Sequence, residues 1–152
     1  MGRITVNHVA GDAFHIDVRG HCLVVDQQSL RRDERGPAPV ELFVAGLAGC
    51  AATAAMAYLR RHRQEHDGLR VECDWLMRPD MPRVMGSVRL RVLLPIEPDA
   101  VTYDGVVAAV HRSTVNETLA GNTPGILVEV YSFPEWATIV RRQEFEDDYV
   151  LA

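Results

Sequence analysis

Cys50 is the residue of this chain whose type and setting best suit a chemical role. It follows the run Gly46-Leu47-Ala48-Gly49, and Ala51 and Ala52 come directly after it. So many small residues leave bare backbone around the sulfur, as a helix needs where another chain element or a ligand approaches closely. A cysteine is by default an inert core residue. A reactive thiolate needs a nearby cation, and the sixteen basic residues, all of them arginine, could supply one.

The other two cysteines have plainer settings. Cys73 alternates with Val71 and Trp75, which predicts a core position on a strand. Cys22 follows a predicted turn and is expected to be a small, partly exposed strand residue. The N-terminus lacks an apolar signal core, so a cytoplasmic location is expected. An odd cysteine count in such a chain indicates free thiols rather than a disulfide framework.

Several other kinds of chemistry are disfavoured. The chain contains no lysine, which excludes a lysine Schiff base. His62 and His66 fit an H-x-x-E-H string, but they stand at the charged end of a helix with no third ligand in view, so we expect no metal. The formal charge of -5 and the lack of a basic run with interleaved aromatics argue against a nucleic-acid partner.

The elements that must position Cys50 begin with three short strands. Alternating apolar residues predict strands over residues 4–9, 14–18 and 22–25, with Arg19-Gly20 as a tight turn. The polar residues 27–38 that follow predict a solvated loop.

A long apolar helix comes next and carries Cys50. Pro39 opens it, and between residues 42 and 59 only Thr53 is polar. The length is near that of a membrane span. Alanine and glycine dominate the segment, however, and the rest of the chain has amphipathic patterns, so we expect no membrane partner. An apolar helix of this kind is otherwise buried, wrapped by a sheet or by a second chain.

The second half of the chain predicts two long strands and two helices. Alternation marks strands over residues 69–77 and 84–94, and the spacing of residues 103–110 predicts an amphipathic helix. Thr114 and Glu117 fit the capping box of a short helix that ends near Gly121. Residues 126–131 predict a last strand. The fold class is α+β, with antiparallel strands around one buried helix and a helix pair outside.

Two segments resemble the OsmC/Ohr family of hydroperoxide reductases. Residues 36–50 match its G-x-x-P-x-E-L-x-x-A-x-x-x-C segment, and residues 111–119 look like its second motif, a cysteine-proline-valine followed by a short helix. The order of elements agrees over about the first 130 residues. The resemblance therefore implies an OsmC-like domain over residues 1–132, and it leaves residues 133–152 as a C-terminal extension.

The resemblance also implies an activity and a site. It implies an intertwined homodimer that reduces organic hydroperoxides through a thiolate, with no metal or organic cofactor. Cys50 matches the attacking cysteine, and Arg19 stands where the family has the arginine that steadies the thiolate. The family's carboxylate, which orients that arginine, corresponds to Glu41. Val40 occupies the position that the best-studied peroxidases use, so Glu41 comes one residue later.

The second motif departs from the family at its key residue. Ser113 replaces the resolving cysteine and Thr114 replaces the proline. Serine cannot form a disulfide, so the expected enzyme is a one-cysteine peroxidase resolved by an external thiol or dithiol, or by Cys22. The Ser113 hydroxyl is expected to cap the short helix.

Two other readings of the same residues stay open. In the first, the protein is a catalytically silent dimer that binds a small apolar ligand in the cleft between subunits. In the second, it is a structural scaffold whose Cys50 resists alkylation until the chain unfolds.

Overall fold

The computed structural model describes residues 2–27 and 33–121. The elements in these residues are β1 (Thr5–Ala10), β2 (Ala13–Val18), β3 (His21–Val25), α1 (Pro39–Arg61), β4 (Arg70–Met77), β5 (Met85–Leu93), α2 (Ala100–His111) and α3 (Thr114–Ala120). Each element predicted for this part of the chain is present, with bounds that differ by a few residues. The α+β class is confirmed. The predicted strand over residues 126–131 and the extension over residues 133–152 lie outside the described residues.

The first three strands form an antiparallel sheet in the order β1-β2-β3. Val18 pairs with His21, so Arg19 and Gly20 form a two-residue hairpin turn. Both have positive φ, 50° for Arg19 and 82° for Gly20. These angles indicate a type I′ turn, whose twist matches that of the strands it joins. The predicted tight turn is confirmed.

This sheet has one apolar and one polar face, because successive side chains of a strand point to opposite sides. The register places Val6 opposite Ile16 and Ile16 opposite Leu23, so the three share one face across all three strands. We call this the apolar sheet face. It is open to solvent within the single chain, since Val6 is 55% and Leu23 47% exposed.

The hydrophobic core lies along one side of α1. Its buried residues recur every three or four positions, which is the repeat of one helical face: Val44, Leu47, Ala51, Ala55 and Leu59. The last three form a cluster with Val106 and Val110 of α2. Inward-facing residues of the antiparallel β4–β5 hairpin, such as Val71 and Leu90, pack against this cluster.

Within this chain, the predicted apolar helix α1 is buried along one side. Among the described elements, α1 packs extensively against α2, α3, β4 and β5, whereas the three-stranded sheet has no such packing on it. Ala45, Gly46, Gly49 and Thr53 are consequently exposed. We call these four residues the open face of α1. By length and composition alone, α1 could also cross a membrane.

A close contact between α1 and α2 depends on a glycine. A Cβ at Gly105 would overlap the ring of Tyr58. The Tyr58 hydroxyl donates a hydrogen bond to the Val101 carbonyl over 3.3 Å. α2 begins with Asp99 as its cap, whose carboxylate accepts from the Thr102 backbone N–H at 2.7 Å. The hydrogen bond to Thr102 lowers the pKa of Asp99.

Candidate functional site

Cys50 lies on the flank of α1, between the buried ridge and the open face. Its side chain is half-buried and its thiol is free. Leu47 and Ala51, on the adjoining side, are buried. On the other side, a Cβ at Gly46 or Gly49 would meet no atom within 4 Å apart from the adjacent residues and backbone of α1 itself. The sulfur is thus held by a packed helix and borders open space, where a ligand or a second chain can approach.

Arg19, the predicted thiolate partner, is exposed at the tip of the β2–β3 turn. Among the described elements, the sheet that carries it does not pack extensively on the helix that carries Cys50. Within this part of one chain, no such packing therefore brings Arg19 toward Cys50.

Glu41, the predicted carboxylate of the site, lies in the first turn of α1 and caps it. Its Oε2 atom accepts a hydrogen bond from the Ala38 backbone N–H at 2.7 Å, and its own N–H donates to the Ala38 carbonyl at 2.9 Å. Nine residues separate Glu41 from Cys50, a rise of about 13.5 Å along the helix axis. Within one chain the Glu41 carboxylate consequently does not reach the Cys50 sulfur. The sequence did not reveal this cap, because alanine has no side-chain acceptor to complete the usual motif.

Ser113, at the position of the resolving cysteine, is the N-cap residue of α3. The predicted capping box is wrong in its register, since Ser113, not Thr114, has the extended backbone of a cap. The predicted role of the hydroxyl is also wrong. Ser113 is only 9% exposed, and its Oγ is buried and has no hydrogen-bond partner within the described chain. The backbone carbonyl of Ser113 instead accepts from the Glu117 N–H at 2.9 Å.

The two remaining cysteines lie on different sheets. Cys22 is exposed and paired with Asp17, on the face of its sheet opposite Leu23. Cys73 is half-buried and pairs with Leu90 on the inward face of the β4–β5 hairpin, as predicted. Burial raises the pKa of the Cys73 thiol, and the negative charge of Asp74 raises it further. Thiolate chemistry is correspondingly disfavoured at Cys73.

His62 and His66 do not share a helical face, because α1 ends at Arg61. The ring of His62 stacks on Tyr58 with 4.1 Å between centroids, and its Nδ1 lies 2.9 Å from the Tyr58 carbonyl oxygen. The Nδ1 of His66 lies 3.1 Å from the Gln64 carbonyl oxygen. Both rings are thus engaged at the end of α1. No group of three or more His, Cys, Asp or Glu residues suited to a metal ion occurs in residues 2–27 and 33–121.

A cleft of about 870 Å³ lies between β5, α2 and α3. Its lining is mainly apolar and includes Val88, Val106 and Leu119. Leu47, one turn before Cys50, reaches it from α1. Sequence reasoning placed a ligand cleft between subunits and missed this one within the chain. In the sequence, this cleft was indicated only by the alternating apolar residues of β5 and the apolar stripe of α2. Both patterns equally predict an ordinary hydrophobic core.

Comparisons with known proteins agree with the architecture. The structure is similar to that of an OsmC-like protein from Mycoplasma pneumoniae, with a TM-score of 0.67, 14% identity, and coverage of 80% of this chain and 89% of that one. It is also similar to the organic hydroperoxide resistance protein OhrB of Bacillus subtilis, with a TM-score of 0.55, 21% identity, and coverage of 80% and 92%.

A third solved structure, an OsmC-like hydroperoxide resistance protein from Jannaschia sp. CCS1, has a TM-score of 0.51 and 22% identity, with coverage of 86% of this chain and 92% of that one. At these identities the likeness shows the fold. A comparison with curated proteins gave no significant match.

The family itself is shown by sequence. A family model described as OsmC-like protein matches residues 32–127, well over half of the chain. The match includes Cys50, Glu41 and Ser113. Proteins of this family are typically soluble. The chain belongs to the OsmC-like family.

Proposed function

We propose that this protein is a cysteine-based thiol peroxidase that reduces organic hydroperoxides through Cys50. One observation carries the proposal. Cys50, at the end of the family's first motif, has a free, half-buried thiol beside the open backbone of Gly46 and Gly49. Membership of the OsmC-like family, with hydroperoxide resistance proteins among the structural neighbours, supports a hydroperoxide-resistance role.

The reaction needs no metal or organic cofactor. The Cys50 thiolate attacks one oxygen of the O–O bond, which breaks, and the alkoxide takes up a proton and leaves as an alcohol. Cys50 becomes a sulfenic acid. A thiol of the reductant condenses with it to form a mixed disulfide and water, and a second thiol then releases Cys50. The substrate is thereby reduced by two electrons, and the reductant is oxidised to a disulfide.

A homodimer would complete the site. One chain leaves two apolar surfaces uncovered, the apolar sheet face and the open face of α1. If the sheet of one subunit packs over α1 of its partner, both surfaces are covered and Arg19 approaches the partner subunit's Cys50. A guanidinium there would stabilise the thiolate. Glu41, engaged with the Ala38 N–H, could still orient that arginine across the interface.

The enzyme is of the one-cysteine type in this proposal. Ser113 cannot form a disulfide, and its hydroxyl is enclosed without a partner in the described chain. An external thiol or dithiol of the cytoplasm would therefore resolve the sulfenic acid. Cys22, the internal alternative, is exposed on the same sheet that carries Arg19, but it lies on the face opposite Leu23 and would point away from α1 of the partner in this arrangement.

The test is peroxide consumption by the purified protein, with cumene hydroperoxide as substrate and either dithiothreitol or dihydrolipoamide as reductant. Cys50→Ser should abolish turnover. Cys22→Ser is the matched control and should retain it if the reductant resolves Cys50. Arg19→Asn removes the cation and keeps the turn, because asparagine tolerates positive φ, and it should lower the rate. Equal turnover by wild type and Cys50→Ser would refute the proposal.

A second candidate function follows from the cleft. Its volume and mainly apolar lining suit a small apolar ligand. A silent binding protein would consume no peroxide. It would also bind an apolar fluorescent probe with an affinity that Val106→Asp weakens and Cys50→Ser does not.

A further inference from the structure

Asp26 is the most deeply buried charged residue in the described part of the chain. It directly follows β3 and is 1% exposed. A buried carboxylate is costly unless hydrogen bonds satisfy it. Its contacts include the backbone N–H of Gln27, which donates to Oδ1 at 2.8 Å, and that of Arg35, which donates to Oδ2 at 3.3 Å.

Through its backbone, Asp26 also joins the end of β3 to the segment that precedes α1. The Asp26 N–H donates to the Pro37 carbonyl at 3.1 Å. Beside it, Gly36 lies so close to the Val24 carbonyl that a Cβ at position 36 would overlap that group. Residues 35–37 are therefore fastened to the end of β3, two residues before α1 begins at Pro39. We call this set of contacts the Asp26 clasp.

The clasp lies between the two parts of the proposed site. Arg19 is at the far end of the three-stranded sheet, and Cys50 is on α1. Among the described residues, this sheet and α1 do not pack extensively on each other. The clasp is a contact that joins the end of β3 to the segment leading into α1. Arg19 lies seven positions before Asp26, across the hairpin turn and the length of β3, a distance of about 20 Å. A tilt of roughly 10° at the clasp would thus move Arg19 by about 3 Å, enough to break a hydrogen bond.

We propose that Asp26 is a positioning residue for the reactive cysteine: by clasping residues 35–37 to the end of β3, it sets the position of Arg19 relative to the partner subunit's Cys50. The inference rests on the proposed function. It assigns a role to a residue that touches neither substrate nor sulfur.

The test is Asp26→Asn, which keeps the size of the side chain. An amide has one acceptor oxygen in place of two, so it cannot accept from both Gln27 and Arg35 with separate oxygens. Asp33→Asn is the matched control, because it removes an exposed carboxylate from the same segment. Gly36→Ala breaks the clasp from the other side without a change of charge, and it replaces Asp26→Asn if that variant does not fold.

Two measurements separate positioning from mere stability. The first is trypsin cleavage after Arg35, read by mass spectrometry, which should become at least severalfold faster in Asp26→Asn than in wild type or Asp33→Asn. The second is the pH profile of Cys50 alkylation. Its midpoint should rise toward that of an ordinary thiol in Asp26→Asn while the dimer persists, and the peroxidase rate should fall about tenfold.

The results of these two measurements distinguish a failure of the positioning role from a failure of the clasp or of the proposed function. Faster cleavage with an unchanged pH profile would show that the clasp is structural only, and it would overturn the inference. Unchanged cleavage would overturn the clasp itself. If wild type consumes no peroxide, the proposed function fails first. The positioning role then fails with it, whereas the cleavage result still reports on the clasp.

Discussion

The three thiols of this chain differ in the surroundings of their sulfur atoms. Cys50 borders open space on α1, Cys22 is exposed on β3, and Cys73 faces the core from β4. The sequence predicted these settings for Cys22 and Cys73, because alternation along a strand is a local property. It could not show what faces Cys50. That depends on which residues pack against α1, and these are distant in the chain.

Cys73 should be the slowest of the three thiols to react. Burial, and secondarily Asp74, raise its pKa, so at a given pH its thiolate fraction is below that of an ordinary thiol. Iodoacetamide labelling at pH 8, followed by peptide mass spectrometry, should modify Cys22 and Cys50 before Cys73. Labelling in denaturant should remove the difference. Early modification of Cys73 in the folded protein would contradict the assigned burial.

Ser113→Cys should test whether this position can still serve as the resolving site. If α3 presents residue 113 to Cys50 of the active protein, one equivalent of peroxide should produce a disulfide between Cys50 and the thiol introduced at position 113. Loss of free thiol and a mass 2 Da lower in the linked peptides would report it. Ser113→Ala is the control, and it should form none. A Cys50 sulfenic acid that persists in the Ser113→Cys variant would show that the two residues stay apart.

At the scale of elements, the helices and strands could be predicted where the signal was local. Pro39 marked the start of α1, and the period of apolar residues indicated α2. The start of α3 was misplaced by one residue, because serine and threonine at positions 113 and 114 are both good caps. The packing of α1 against α2 had no local signal, since Gly105 and Tyr58 are far apart in sequence.

Gly105→Ala should loosen the packing of α1 against α2. The new methyl group would overlap the Tyr58 ring, so the ring must move and the hydrogen bond to Val101 is lost. Overpacking of this kind costs about 1–3 kcal/mol, although alanine is the better helix former. Urea unfolding would measure the change. The loss of unfolding free energy caused by Gly105→Ala should be smaller in a Tyr58→Ala background. An equal loss in both backgrounds would show that the overlap with the ring is not its cause.

For the whole molecule, the sequence predicted an apolar central helix but not which of its faces one chain covers. The period of apolar residues in the sequence identifies α1 as an apolar helix. Which faces of α1 are covered depends instead on where the three-stranded sheet lies. Within one chain, that sheet and the open face of α1 each leave surface uncovered. A contiguous exposed apolar patch is typical of an interface. We therefore expect association through both surfaces at once.

Leu23→Asp should convert the proposed dimer into a monomer. Leu23 is 47% exposed and lies in the row of the apolar sheet face, so a carboxylate there would have to be buried unpaired on association. Light scattering at micromolar concentration should give about 34 kDa for wild type, twice the chain mass of 16.9 kDa, and about 17 kDa for the variant. Thr5→Asp, on the opposite face of the same sheet, should stay dimeric.

A monomeric wild type would exclude a site shared between subunits, and a dimeric Leu23→Asp would place the interface elsewhere. Because Arg19 is carried by this sheet, loss of the dimer should also lower the rate of peroxide turnover.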